Sequence, residues 1–158
     1  MSSINKISGV WNRNTHQVMG KAMTLDNIEH QILRQQFNEP RIHMALVCAS
    51  KGCPPLLNQP YTGSALNAQL NGRAQAFVAS PQNFRIDRAK NEVYLSSLFK
   101  WYGQDFEKKY GTGAFQGSAK ERASLNFLSQ YLGSEANYLK TTRYQVRYLD
   151  YDWSLNKQ

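Results

Sequence analysis

Apolar positions recur at helical spacing after Thr24, where Leu25, Ile28, Ile32 and Leu33 share one face and Thr24 stands at the N-cap. This stretch predicts a helix carrying Glu29 and His30. Asn38-Glu39-Pro40 ends it, because proline bars the preceding residue from helical geometry. Arg41 to Cys48 is short and sharply bounded, which predicts a buried strand. Ala49 to Pro55 reads as a loop from its composition. Ahead of all this, residues 1–22 show mixed polarity around Trp11 without a clean period. They are set apart as an irregular or edge segment, with one domain over 23–158.

Beyond the loop, Thr62 or Ser64 opens a helix with Leu66, Leu70, Ala74 and Phe77 on one face, and Ser80-Pro81 closes it. Phe84-Arg-Ile86 and Val93-Tyr-Leu95 predict a hairpin. A helix from Ser96 aligns Leu98, Phe99, Tyr102 and Phe106, with Trp101 alongside. Gly111 to Gly117 is a loop. Ser118-Ala-Lys-Glu121 has capping-box spacing, and Leu125, Leu128 and Leu132 continue that helix to Gly133. Tyr144 to Leu149 alternates as a half-buried strand does. The order α, β, α, ββ, α, α, β predicts an α+β fold, a small mostly antiparallel sheet packed with about four helices.

Composition adds bounds. The chain has 158 residues, 41% hydrophobic and 19% charged. That is the size and balance of one globular domain rather than a disordered chain. No apolar run approaches the ~18 residues of a membrane span, and Met1-Ser-Ser-Ile-Asn-Lys lacks the apolar stretch of a signal peptide. A net charge of +8 suits an anionic partner. The basic residues are dispersed, however, and no nucleic-acid signature accompanies them. A solvated basic surface is the simpler account. Two cysteines exclude a multi-disulfide scaffold and a four-cysteine zinc site.

Candidate chemistry centres on Cys48 and Cys53. Cys53 stands between Gly52 and Pro54-Pro55, where the start of a helical turn would favour its thiolate. His43, on the strand entering the loop, reaches Cys53 if the loop folds back. A thiol and an imidazole with a carboxylate or carboxamide behind them is the arrangement of cysteine hydrolases. Asp152 and Asn156 are the candidate third members. Simpler readings stand beside this one. Cys48 is a small buried hydrophobe, or Cys48 and Cys53 close a short disulfide loop. His43 is then a hydrogen-bonded core residue, and Asp152 and Trp153 anchor the chain end. Glu29-His30 is half of a zinc motif without its second histidine, so no metal and no cofactor are expected. A Cys/His site from His30, His43 and Cys53 is the remaining metal alternative.

Leu25-Asp-Asn-Ile-Glu-His30, Ile32-Leu-Arg34, Pro40-Arg-Ile-His-Met-Ala-Leu-Val-Cys-Ala-Ser50, Cys53-Pro-Pro-Leu56, Tyr61-Thr62 with Leu66 and Leu70, Leu98-Phe-Lys-Trp-Tyr102 with Asp105-Phe106, and Tyr148-Leu-Asp-Tyr-Asp-Trp-Ser-Leu-Asn156 resemble blocks of the domain-of-unknown-function 547 family. The resemblance runs over most of residues 23–156. Members occur in bacteria, often exported, and at the C-terminus of plant proteins with a coiled coil, so it implies a periplasmic or secreted setting. Its pattern is similar to papain and transglutaminase folds. By that analogy His43 is the base, Asp152 orients it, and Cys53 or Cys48 supplies the thiol for a hydrolase or transferase acting on a peptide-like amide or a thioester. Glu29, His30, Arg41, Trp101, Tyr151 and Asn156, from the same blocks, are the candidate binding residues. Family members carry an earlier Trp-x-Asn-x-Tyr-Asn-Ala helix that Trp11-Asn-Arg-Asn14 does not match. The chain is therefore expected to be the C-terminal two-thirds of the domain, with an uncovered surface open to self-association. The alternative to the enzyme is a non-catalytic module that binds a protein or polyanion and keeps its cysteines structural.

Overall fold

The computed structural model describes residues 2–157. Among them the fold is α+β, with five α-helices and two small sheets. The first sheet is a hairpin, β1 (Thr15–Val18) against β2 (Lys21–Thr24). Met19 and Gly20 both take positive φ at its tip, as a tight two-residue hairpin turn requires. The first residues, set apart as irregular, thus end in regular structure.

Thr24 caps the helical segment after the hairpin, its hydroxyl oxygen accepting the Asn27 N–H at 3.1 Å. The helix is not an ordinary α-helix. Asn27–Leu33 is π-helical, with the Arg34 N–H bonded to the Glu29 carbonyl, before one α turn, α1 (Arg34–Gln36). Wide turns of this kind are rare and concentrate at functional sites.

The strand expected over 41–48 does not form. Pro40–Met44 is a 3₁₀ turn, with Pro40 at its start and the Glu39 carboxylate accepting the Arg41 N–H at 3.2 Å. Proline fixes the helical φ, the carboxylate caps the turn, and no neighbouring strand competes for the backbone. His43 and Met44 are buried by packing of this turn against α2 (Leu66–Ala79) and α3 (Ser97–Tyr110).

The second sheet has the order β3-β4-β5, from Phe84–Asp87, Glu92–Ser96 and Gln145–Leu149. β3 and β4 form the expected antiparallel hairpin, whereas β5 lies parallel to β4. Ser96 caps α3 through the Leu98 N–H. Ser118 and Glu121 form the reciprocal capping box of α4 (Ala119–Ser129). Gly103 lets α3 and α4 approach closely, since a Cβ there would lie 2.7 Å from Lys120 Cβ. A further helix that the periodicity did not mark, α5 (Glu135–Thr141), seals the core with Leu139. The core itself is phenylalanine-rich. Phe99, Phe106 and Phe127 are fully buried, with ring centroids 5.0–6.4 Å apart. No helix among the described residues is long and apolar enough to cross a membrane.

Candidate functional site

The Cys48–Cys53 loop is built around its own covalent bond. The two sulfurs form a disulfide across a Cα–Cα distance of 6.0 Å. The loop then lies along the C-terminal segment. Lys51 and Gly52 donate their N–H groups to the carbonyls of Ser154 and Asp152, and Asn156 donates to Ala49. Tyr151 seals the junction, its hydroxyl 2.9 Å from buried Ser50 Oγ and 3.2 Å from Cys48 Sγ. A Cβ on Gly52 would sit 2.9 Å from the Tyr151 ring, so only glycine permits this approach. Burial pushes the Tyr151 hydroxyl above its ordinary pKa, against the opposing Ser50 hydrogen bond. On the other side, the Arg73 guanidinium of α2 donates to the Pro55 carbonyl and ties the loop's end down.

Behind the loop, His43 is held rigidly. Its Nε2 donates to Asp105 Oδ2 at 2.8 Å, and its ring stacks on Tyr102 with centroids 3.9 Å apart. Asp105 also receives a two-point contact from Arg34, at 2.6 and 3.0 Å. Burial alone would raise the Asp105 carboxyl. The hydrogen bonds from His43 and Arg34 outweigh it and hold the group well below the usual carboxylate range. The Tyr102 hydroxyl is pushed up by burial and by the nearby Glu29 carboxylate.

These elements enclose a cleft of about 450 Å³. The disulfide and His43 form part of its wall, Asp26, Glu29 and His30 of the π-helical segment line one side, and Trp11, Trp101, Tyr151 and Trp153 provide the aromatic surface. Every tryptophan in the chain lines this one cleft. Trp101, Tyr151 and Trp153 form a tilted cluster with centroids 4.5–5.7 Å apart.

Residues 2–78 match the family model described as Protein of unknown function, DUF547. Over these residues, just under half of the chain, the sequence is similar to DUF547. This agrees with the resemblance read from the blocks at 25–30, 40–50 and 53–56. The blocks at 98–106 and 148–156 lie outside the matched residues. The DUF547 match itself spans the first hairpin, the π-helical segment, the His43 turn, the disulfide loop and most of α2. No curated protein and no solved structure matches the chain.

Of the expected catalytic residues, His43, Cys48 and Cys53 share the cleft, but Asp152 does not join them. Asp152 lines a separate polar depression, and its carboxylate accepts the Ser154 N–H at 2.9 Å. That hydrogen bond lowers its pKa. The acid facing His43 is Asp105, one helical turn along α3 from Tyr102. Neither cysteine is a free thiol, so the disulfide alternative is the one realised.

Among the expected binding residues, Glu29, His30, Trp101 and Tyr151 line the cleft. Arg41 instead grips Glu39 through two contacts of 2.7 Å and reaches Asn67 and Asn71 on α2. Asn156 pairs through its backbone with Ala49. Among the described residues, no three His, Cys, Asp or Glu side chains gather as a metal site. Asp105, Arg34 and Tyr102 were present in the sequence blocks, but only spatial proximity gives them roles. Trp153 also lay in such a block but was read only as an anchor of the chain end, and Trp11 offered no such signal.

Proposed function

We propose that the chain is a non-catalytic binding module whose cysteines are structural and whose ligand seat is the aromatic cleft. The observation that carries this reading is the Cys48–Cys53 disulfide. A thiolate is the attacking species in cysteine catalysis, and a sulfur already bonded to sulfur has none to offer. His43 supports the same reading. Its Nε2 is engaged by Asp105 and one ring face is covered by Tyr102, as suits a residue that braces the cleft wall. A lasting disulfide also fits the oxidising, periplasmic or secreted setting that the resemblance implies.

A thiol-dependent hydrolase or transferase is the second reading, favoured by the shared position of His43 and both cysteines on one cleft wall. In that chemistry Cys53 would act only after reduction, and Asp105 would orient His43.

Alkylation of the native chain, read by intact mass before and after reduction, decides between the two. The binding module predicts a mass lighter by the two hydrogens of one disulfide and no labelling until a reductant is added. Rapid labelling of Cys53 without reductant, together with thioester or amide cleavage lost in Cys53→Ala and His43→Ala, overturns it in favour of the enzyme.

A further inference from the structure

The chain is strongly basic, at +8, yet its aromatic cleft is not. Among the described residues, no lysine or arginine lines it, and its only charged side chains besides the histidines are Asp26 and Glu29. Both carboxylates are partly exposed, at 42% and 30%. Neither has a lysine or arginine within 4.0 Å among the described residues, although Arg34, bonded to Asp105, is near enough for its charge and that of Glu29 to attract. The titratable base beside each is His30, at 3.7 and 4.0 Å. Among the described residues, Glu107, Glu121, Asp150 and Asp152 likewise have no lysine or arginine within 4.0 Å, but none of them lines the aromatic cleft, whereas five other carboxylates are paired. Glu39, Asp87, Glu92, Asp105 and Glu135 each meet an arginine or lysine within 4.0 Å. The two cleft carboxylates are thus left open to a cation arriving from outside.

The aromatic surface attracts the same kind of ligand. Trp101 and Trp153 are 42% and 41% exposed, with Tyr151 between them. The face of an indole or phenol ring is the negative end of its quadrupole and draws an ammonium group within about 6 Å, tryptophan most strongly. Such surfaces also accept the apolar body that carries the charge. A strongly hydrated polyanion would meet two carboxylates and no cation here.

Resting on the binding-module reading, we propose that this cleft takes an organic cation: a quaternary or protonated amine borne on an apolar body, its charge toward Asp26 and Glu29 and its body against Trp101 and Trp153. The proposal excludes anionic ligands from this site and leaves the basic surface elsewhere.

The test uses the oxidised, full-length chain and two probes of one shape, choline and its uncharged isostere 3,3-dimethylbutan-1-ol. Binding is followed by tryptophan fluorescence and by shifts of the indole N–H resonances. Choline is expected to bind about tenfold more tightly than the isostere, with affinity falling as salt rises. The charge-removing pair Asp26→Asn and Glu29→Gln should bring choline to the level of the isostere. Trp153→Ala, at an exposed position, should weaken both probes while preserving the fold. Equal affinity for the two probes, or no response of the cleft indoles to choline, overturns the cation assignment and leaves the module reading standing. A thiol that reacts in the native chain and supports thioester cleavage overturns the module reading and takes the cation assignment with it.

Discussion

Helix α3 serves two aromatic clusters of opposite character. Toward the sheet and α4 it presents Phe99 and Phe106, which meet Phe127 in a core with no exposed surface. Toward the disulfide loop it presents Trp101 and Tyr102, which meet Tyr151, Trp153 and His43 around an open cleft. Ring spacings are similar in the two, near 5 Å. What differs is the side chain. Phenylalanine carries no polar atom and is driven wholly from water. Tryptophan and tyrosine keep a polar handle and tolerate a wet edge. One cluster is therefore closed to water and the other stands open at the cleft, and the disulfide with the His43–Asp105–Arg34 network joins them.

The sharpest break is a matched pair of truncations. Phe106→Ala should cost about 3–5 kcal/mol by denaturant unfolding, because the deleted ring leaves a cavity among rigid neighbours. Trp101→Ala and Trp153→Ala, each at a position around two-fifths exposed, should each cost less than about 1 kcal/mol. Equal losses at the two clusters would erase the distinction.

Next in size is the joint itself. Asp105→Asn keeps the shape but removes the charge that Arg34 and His43 share, at an expected cost of about 2–3 kcal/mol in thermal unfolding. A value near zero would mean the cleft wall stands without it.

The disulfide should rank close behind. Opening so short a loop with Cys48→Ser and Cys53→Ser should cost about 2 kcal/mol by loop-closure entropy. Near-ultraviolet circular dichroism should show the tryptophan signals altered, and amide exchange should leave the phenylalanine core protected. Loss of protection in both would show that the clusters are one unit.

Acid provides the smallest of these perturbations. Burial raises the Glu39 carboxyl, but the hydrogen bonds from Arg41 and Lys109 prevail and hold it at about 2. Its folded pKa is thus below its unfolded value of 4.5. The stability it supplies is complete above that value and is lost as pH falls through about 2, on the order of 1–2 kcal/mol after allowance for screening. Glu39→Gln should flatten the stability profile across this window. An unchanged slope would show that the Glu39 junction between the His43 turn and the end of α3 carries none of it.

Local signals were sufficient for much of the fold. The apolar period and the stops marked α2, α3 and α4, the Ser118 capping box marked the start of α4, and alternation marked β3, β4 and β5. Each depends on residues within a few positions of one another, so a linear reading finds it. It also brought His43, Cys48 and Cys53 forward together. Three other features are decided only in three dimensions. The Pro40–Met44 turn replaces a strand because no partner strand lies beside it. β5 joins β4 in parallel after a separation that no turn residue encodes. His43 takes Asp105, 62 residues away, rather than Asp152, because α3 packs beneath the turn and the C-terminal segment is held against the loop through its own backbone. Spacing along the chain records which chemical groups are present, whereas burial and long-range packing determine which of them meet.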